Sequence, residues 1–186
     1  MGLDQISRTA MQYDAVINKC LDIFSKKTKD YGTAWRVLRT ISIVDQIYIK
    51  AQRIRTIQEK GQQKIGDDIA SEFMGIINYA IIGIVQLELK EDEPEELEVE
   101  HAVSLYSSKA FEAKELMHNK NHDYGEAWRN MSQESFADLI LMKLLRMRQI
   151  IGNKGQTLIS EGLDANYFDI INYAVFALIL IHEEQN

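Results

Sequence analysis

Cysteine and proline are nearly absent from this chain, with one of each among 186 residues. A lone cysteine, Cys20, excludes an internal disulfide and any cysteine-rich zinc site. It falls at an apolar helix position, where it reads as a small core residue. With Pro94 the only proline, little interrupts long helices, and abundant Ile, Leu, Ala, Glu and Lys favours them. No basic segment followed by an apolar run opens the chain, so no secretory signal is expected and a cytoplasmic location is the default. Walker-type phosphate loops, nucleophile elbows and dinucleotide fingerprints are also missing. Long Lys/Arg runs are missing as well, so nothing suggests a nucleic-acid surface.

Charge is present, but it is concentrated. The net charge is −7, and residues 88–100 alone carry eight carboxylates against Lys90. The remainder of the chain is therefore neutral and need not repel a phosphate-bearing ligand. The acidic run reads as a solvated linker, with Pro94 and its neighbouring acids marking a helix start.

What the chain does contain, it contains twice. Asp30-Tyr31-Gly32-Thr33-Ala34-Trp35-Arg36 returns 93 positions later as Asp123-Tyr124-Gly125-Glu126-Ala127-Trp128-Arg129. Tyr13, Lys27, Ser42, Asp45, Lys50, Arg53 and Arg55 recur in step as Tyr106, Lys120, Ser135, Asp138, Lys143, Arg146 and Arg148. After one inserted residue, Ile76-Ile77-Asn78-Tyr79-Ala80 matches Ile170-Ile171-Asn172-Tyr173-Ala174. A fixed period over the whole chain is a tandem duplication. The expected domains are a first three-helix repeat at 1–90, an acidic linker at 91–97 and a second repeat at 98–186. The two form one compact unit.

Apolar spacing places helices at about 3–28, 41–59 and 68–89, then to 119, at 134–151 and at 164–183. In the first, Ile6, Ala10, Tyr13, Ile17, Leu21 and Phe24 form one stripe. The third and sixth are apolar almost all round, which marks central, buried helices. The run Ile170–Ile181, broken by Asn172, is too short to span a bilayer and reads as core, so no membrane partner is expected. The fold class is all-α, a pseudo-twofold helical bundle that resembles a dimer within one chain. Further self-association into a homo-oligomer is left open.

Three groups of residues carry chemical promise. Asp30 and Asp123 either cap the short helix bearing the tryptophan or act as ligands for a hard cation. Lys50 with Arg53, and Lys143 with Arg146, either pair with Asp45, Asp138 and neighbouring acids or clamp a phosphate. On the buried helices, Asp169 shares a face with Asn172, and an ionised carboxylate there needs a cation. That cation is Lys143, Arg146 or a bound Mg²⁺. The copies differ here: Gly75 stands where Asp169 stands, and Glu72 aligns with Asn166. Asp68 and Glu72 still share a face. The expected metal ligands are thus Asp123, Asp164 and Asp169 in the second half, and Asp30, Asp68 and Glu72 in the first. Tyr124, Trp128 and Asn172, with Tyr31, Trp35 and Asn78, are the expected contacts to a base or other ligand. His101, His118, His122 and His182 have no counterparts in the other copy and no zinc spacing, and read as surface residues.

The combination D-Y-G-x-A-W-R, then K-x-x-R on a helix, then N-Y-A on a buried helix resembles the nucleotide modification associated domain 1 family. This is an all-helical group of phage and bacterial proteins of unknown function. The resemblance spans nearly the whole chain and implies a link to nucleotide or modified-base metabolism. More distantly the arrangement is similar to all-α nucleoside triphosphate pyrophosphohydrolases of the MazG and dUTPase type. Those hold Mg²⁺ with acidic helix residues. Their E-x-x-E motif has only Glu112 and Glu115 as a match in spacing, and the corresponding Lys19 and Asp22 do not repeat it. The expectation is a nucleotide-binding protein, with Mg²⁺-dependent attack of water on a phosphoanhydride as the reaction its residues suggest. The rival is a non-catalytic helical scaffold or interaction protein whose repeated charges are buried ion pairs.

Overall fold

Glycines end the helices at the places the duplication marks. In the computed structural model, which describes residues 2–61, 68–89, 93–158 and 161–186, α1 (Leu3–Tyr31) runs into Gly32 at φ 72°. There the Gly32 N–H donates to the Thr28 carbonyl. A Cβ resists this conformation, so the helix stops. A short 3₁₀ turn (Ala34–Val37) leads to α2 (Thr40–Lys60), which Gly61 ends in the left-handed region. Next come α3 (Ile69–Glu88), α4 (Val99–Tyr124), a second 3₁₀ turn (Ala127–Asn130), α5 (Gln133–Gly152) and α6 (Leu163–Glu184). Gly125, at φ 64°, repeats the role of Gly32. Among the described residues there are six α-helices and no strands.

Each helix pairs with its counterpart: α3 packs on α6, α2 on α5 and α1 on α4. The central pair is α3 and α6, both long and apolar enough by composition to cross a membrane, yet packed here within the bundle. Ile76, Ile77, Ile81, Ile170, Ile171 and Val175 are fully buried between the layers. Removing any one of them to alanine would cost about 2–5 kcal/mol.

Specific bonds hold the halves in register. Tyr13 Oη donates to Asn172 Oδ1 at 2.6 Å, and Tyr106 Oη donates to Asn78 Oδ1 at 2.6 Å. Each asparagine in turn donates to a carbonyl of its own half, Asn172 to Ala113 and Asn78 to Cys20. On the α2–α5 side Arg148 pairs with Asp45 at 2.9 Å, and Arg55 with Asp138 at 3.6 Å. Reciprocal bonds of this kind are what a twofold relation between two copies requires.

Three expectations change. The buried line of α1 is Tyr13, Val16, Cys20, Phe24 and Thr28, while Ile6 is exposed. The helix is rotated from its expected stripe because α1 must meet α3, α4 and α6 together. Pro94 is not a first helical residue, since α4 begins five residues later. The chain around Pro94 instead docks on the first 3₁₀ turn. Thr33 Oγ1 donates to the Glu95 carbonyl and accepts from Leu97 N–H, while Arg36 donates to the carbonyls of Glu93 and Pro94. Finally, Asp30 and Asp123 lie in the last turns of α1 and α4 and cap nothing. The residues preceding the 3₁₀ turns are Thr33 and Glu126.

Candidate functional site

Four segments of the first half converge on a cleft of about 530 Å³. The end of α1 supplies Lys27 and Tyr31, the 3₁₀ turn Trp35, α2 Lys50, and α3 Glu72, Gly75, Asn78, Tyr79 and Ile82. Its electrostatics begin at Glu72, which is nearly buried. Arg53 donates to Glu72 Oε1 at 2.6 Å, and Lys50 reaches Oε2 only loosely, at 3.6 Å. The Lys50 side chain crosses the bare backbone of Gly75, where a Cβ would stand 2.9 Å from its Cε. Its ammonium also lies 5.9 Å from the Tyr79 ring centroid. Lys27 is exposed at the mouth and has no ion-pair partner among the described residues.

In the second half the same framework carries different side chains. Asp169, at the position of Gly75, bridges Lys120 at 2.6 Å and Lys143 at 2.7 Å. Burial alone would push the Asp169 carboxyl up. The hydrogen bonds and charges of the two ammonium groups outweigh burial and hold it below the usual carboxylate range. Trp128 is buried, with the Phe176 ring stacked on it at 4.2 Å and 6° and the Arg129 guanidinium 4.4 Å from its centroid. Trp35 differs on both counts. Ile82 stands where Phe176 stands, and Arg36 bonds to Gln86 and to the linker carbonyls instead of covering the indole. Trp35 stays partly exposed, with only the tilted Phe24 ring near it at 6.4 Å and 42°, while the Nε1–H groups of both tryptophans lack a partner among the described residues.

The expected metal ligands do not come together. Asp68 is the N-cap of α3, accepting from Ser71 N–H at 2.7 Å. Asp123 is exposed beside His122, 3.3 Å away. Asp164 is exposed in the first turn of α6, and Asp169 is held by its two lysines. Asp30 is exposed at the end of α1. Among the described residues no three His, Cys, Asp or Glu side chains are arranged to hold a metal ion.

Other expected site residues separate in the same way. Asn78 and Asn172 are the fasteners between the halves, although Asn78 also lines the cleft. Tyr31 is on the cleft, whereas Tyr124 is 78% exposed. The Lys50–Arg53 pair faces Glu72, but Arg146 has lost that partner because Asn166 replaces it and donates to the Gly162 carbonyl. Arg146 instead lines a second, larger and more open cavity of about 1120 Å³ with Lys143 and Lys154 at the end of α5. Lys27, Lys120, Ile82 and Phe176 were not among the expected site residues. The signal for them was the alignment of the copies, read for differences as well as for identities.

A family model described as nucleotide modification associated domain 1 matches residues 27–87 and again 120–181. Each matched segment begins at the lysine of the end of α1 or α4 and runs through the 3₁₀ turn to the buried helix. Every cleft residue just discussed from Lys27 to Ile82 lies in the first of them. No curated protein and no solved structure matches the chain.

Proposed function

The chain belongs to the nucleotide modification associated domain 1 family, and from that premise we propose that the cleft of its first half binds a nucleotide. One observation carries the proposal. The lysine pair that Asp169 neutralises in the second half recurs as Lys27 and Lys50, with Gly75 in place of the carboxylate. Lys27 has no ion-pair partner among the described residues and Lys50 has only the 3.6 Å contact with Glu72, so the pair favours an added anion, and lysine serves as a point charge for phosphate. Beside them Trp35 and Tyr79 offer aromatic faces of the kind on which bases stack. The proposal extends to no hydrolytic step. Glu72 is engaged by Arg53 and, more loosely, by Lys50, and among the described residues no three His, Cys, Asp or Glu side chains are grouped to hold a metal ion.

The scaffold reading fits the second half better than the first. There Asp169, Lys120 and Lys143 satisfy one another, and the charges that recur on α2 and α5 are largely ion pairs. On this view the second half supports and the first half binds.

Thermal melts with a panel of nucleoside mono- and triphosphates test the proposal. A ligand at 100 times its Kd adds about 2.7 kcal/mol, which is about 5–10 °C for a chain of this size. Lys27→Met and Lys50→Met should each reduce that shift while folding normally. A wild-type chain that no nucleotide stabilises would sink the idea.

A further inference from the structure

We infer that the second half is a sealed copy of the same site, and that the ligand of the open copy is a nucleoside monophosphate. This inference rests on the nucleotide reading of the first half. The second half displays, in its own side chains, what the first half lacks.

Asp169 fills the anion position. One carboxylate contacts both Lys120, at 2.6 Å, and Lys143, at 2.7 Å. The equivalent Lys27 and Lys50 have no carboxylate at position 75: the Lys50 side chain lies over Gly75, and its 3.6 Å contact with Glu72 is one it can exchange for a closer anion. One carboxylate between two lysines corresponds to one phosphate, not to a chain of three. Arg53, the next cation along α2, is already bound to Glu72 at 2.6 Å.

Phe176 fills the ring position. It lies flat on Trp128 at 4.2 Å, and Arg129 adds a second cover at 4.4 Å. At Trp35 the phenyl is reduced to Ile82, and Arg36 is drawn away to Gln86 and the carbonyls of Glu93 and Pro94. The result is an indole with no ring stacked flat on it and partly open to a cleft that two lysines also line, whose 530 Å³ lies in the range of small-ligand sites. A flat ring on Trp35 and one phosphate between Lys27 and Lys50 would restore to the first half the contacts that Phe176 and Asp169 make in the second.

The test is an exchange of the two pairs of residues, read by isothermal titration calorimetry. The full chain is titrated with the four deoxynucleoside monophosphates and with their triphosphates. The wild type should take up one equivalent of at least one monophosphate, at least as tightly as the matching triphosphate. Gly75→Asp with Ile82→Phe should close the first site and weaken binding at least about tenfold. Asp169→Gly with Phe176→Ile should open the second and raise the uptake to two equivalents. A wild type that binds none of these compounds overturns the nucleotide reading, and this inference with it. A wild type that binds one equivalent while the opened variant still binds only one overturns this inference alone, as does a sealed variant that keeps its affinity. A triphosphate held more than about tenfold tighter than its monophosphate overturns the assignment of ligand. If the opened variant fails to give a helical circular dichroism spectrum, the sealed variant decides.

Discussion

The hydroxyl of Tyr13 and the side-chain carbonyl of Asn172 meet at 2.6 Å across the boundary between the two halves. Both groups are buried, and burial pushes the Tyr13 hydroxyl far above its ordinary ionisation range, so it serves only as a neutral donor. The mirror-image bond from Tyr106 to Asn78 makes the N-Y-A motif a fastener of the duplication.

Tyr13→Phe should therefore destabilise the chain by about 1–3 kcal/mol, because it strands a buried acceptor on Asn172. Asn172→Ala should cost more, since it also removes the donor to the Ala113 carbonyl. Urea titrations followed by circular dichroism measure both. A loss below about 0.5 kcal/mol for Tyr13→Phe would mean that the bond contributes nothing net.

Asp68 separates a cap from a ligand. Its carboxylate accepts from Ser71 N–H at the start of α3, so Asp68→Ala should lower stability by about 0.5–2 kcal/mol. Asp68→Asn should recover most of that loss, because an amide oxygen also caps a helix. Neither change should alter nucleotide affinity. A variant that folds with full stability and loses binding would contradict the capping role.

The repeat made the helices, their order and their pairing legible, because a period of one face per 3.6 residues survives in both copies. The site was less legible. Lys143 and Asp169 were visible as a candidate pair, but Lys120 joins them only through the packing of the end of α4 against α6. The partner of Asp45 is Arg148, 103 residues away, while sequence proximity alone favours Lys50 and Arg53. In the sequence, carboxylates on an apolar helix mark the second half as the charged one. Tertiary structure shows Asp169 neutralised by two lysines and Asp164 exposed, and the cleft lies instead beside Gly75, a residue with no side chain to notice.

Acid should weaken the contribution of Asp169 in a definite direction. Its carboxyl is held below the ordinary range in the folded chain, so its stabilisation is present above the unfolded value, about 3.9. It is lost as pH falls through the lower folded value. Asp169→Asn should melt below the wild type at pH 7, and the gap should narrow as pH drops below about 4. Glu126 and Glu183, also held low, give the wild type and the variant the same remaining acid sensitivity. A gap that widens on acidification would contradict the two-lysine arrangement.

Glu72 distinguishes an electrostatic cleft from a metal site most sharply. It is nearly buried, donates nothing while ionised, and holds Arg53 at 2.6 Å and Lys50 at 3.6 Å. Glu72→Gln keeps the shape and removes the charge. Stability should fall by about 1–3 kcal/mol, because a buried acceptor of two cations has been weakened. Binding should move the other way. Lys50, released from Glu72, becomes available to a phosphate, and the field in the cleft turns more positive, so affinity for a nucleotide should rise several-fold at low salt. The rise should shrink as salt is added, since screening acts on charges near the surface. Were Glu72 instead a ligand for a magnesium ion that holds the phosphates, the same substitution would abolish binding and leave it insensitive to added metal. Calorimetry with and without magnesium, at two salt concentrations, separates the two outcomes.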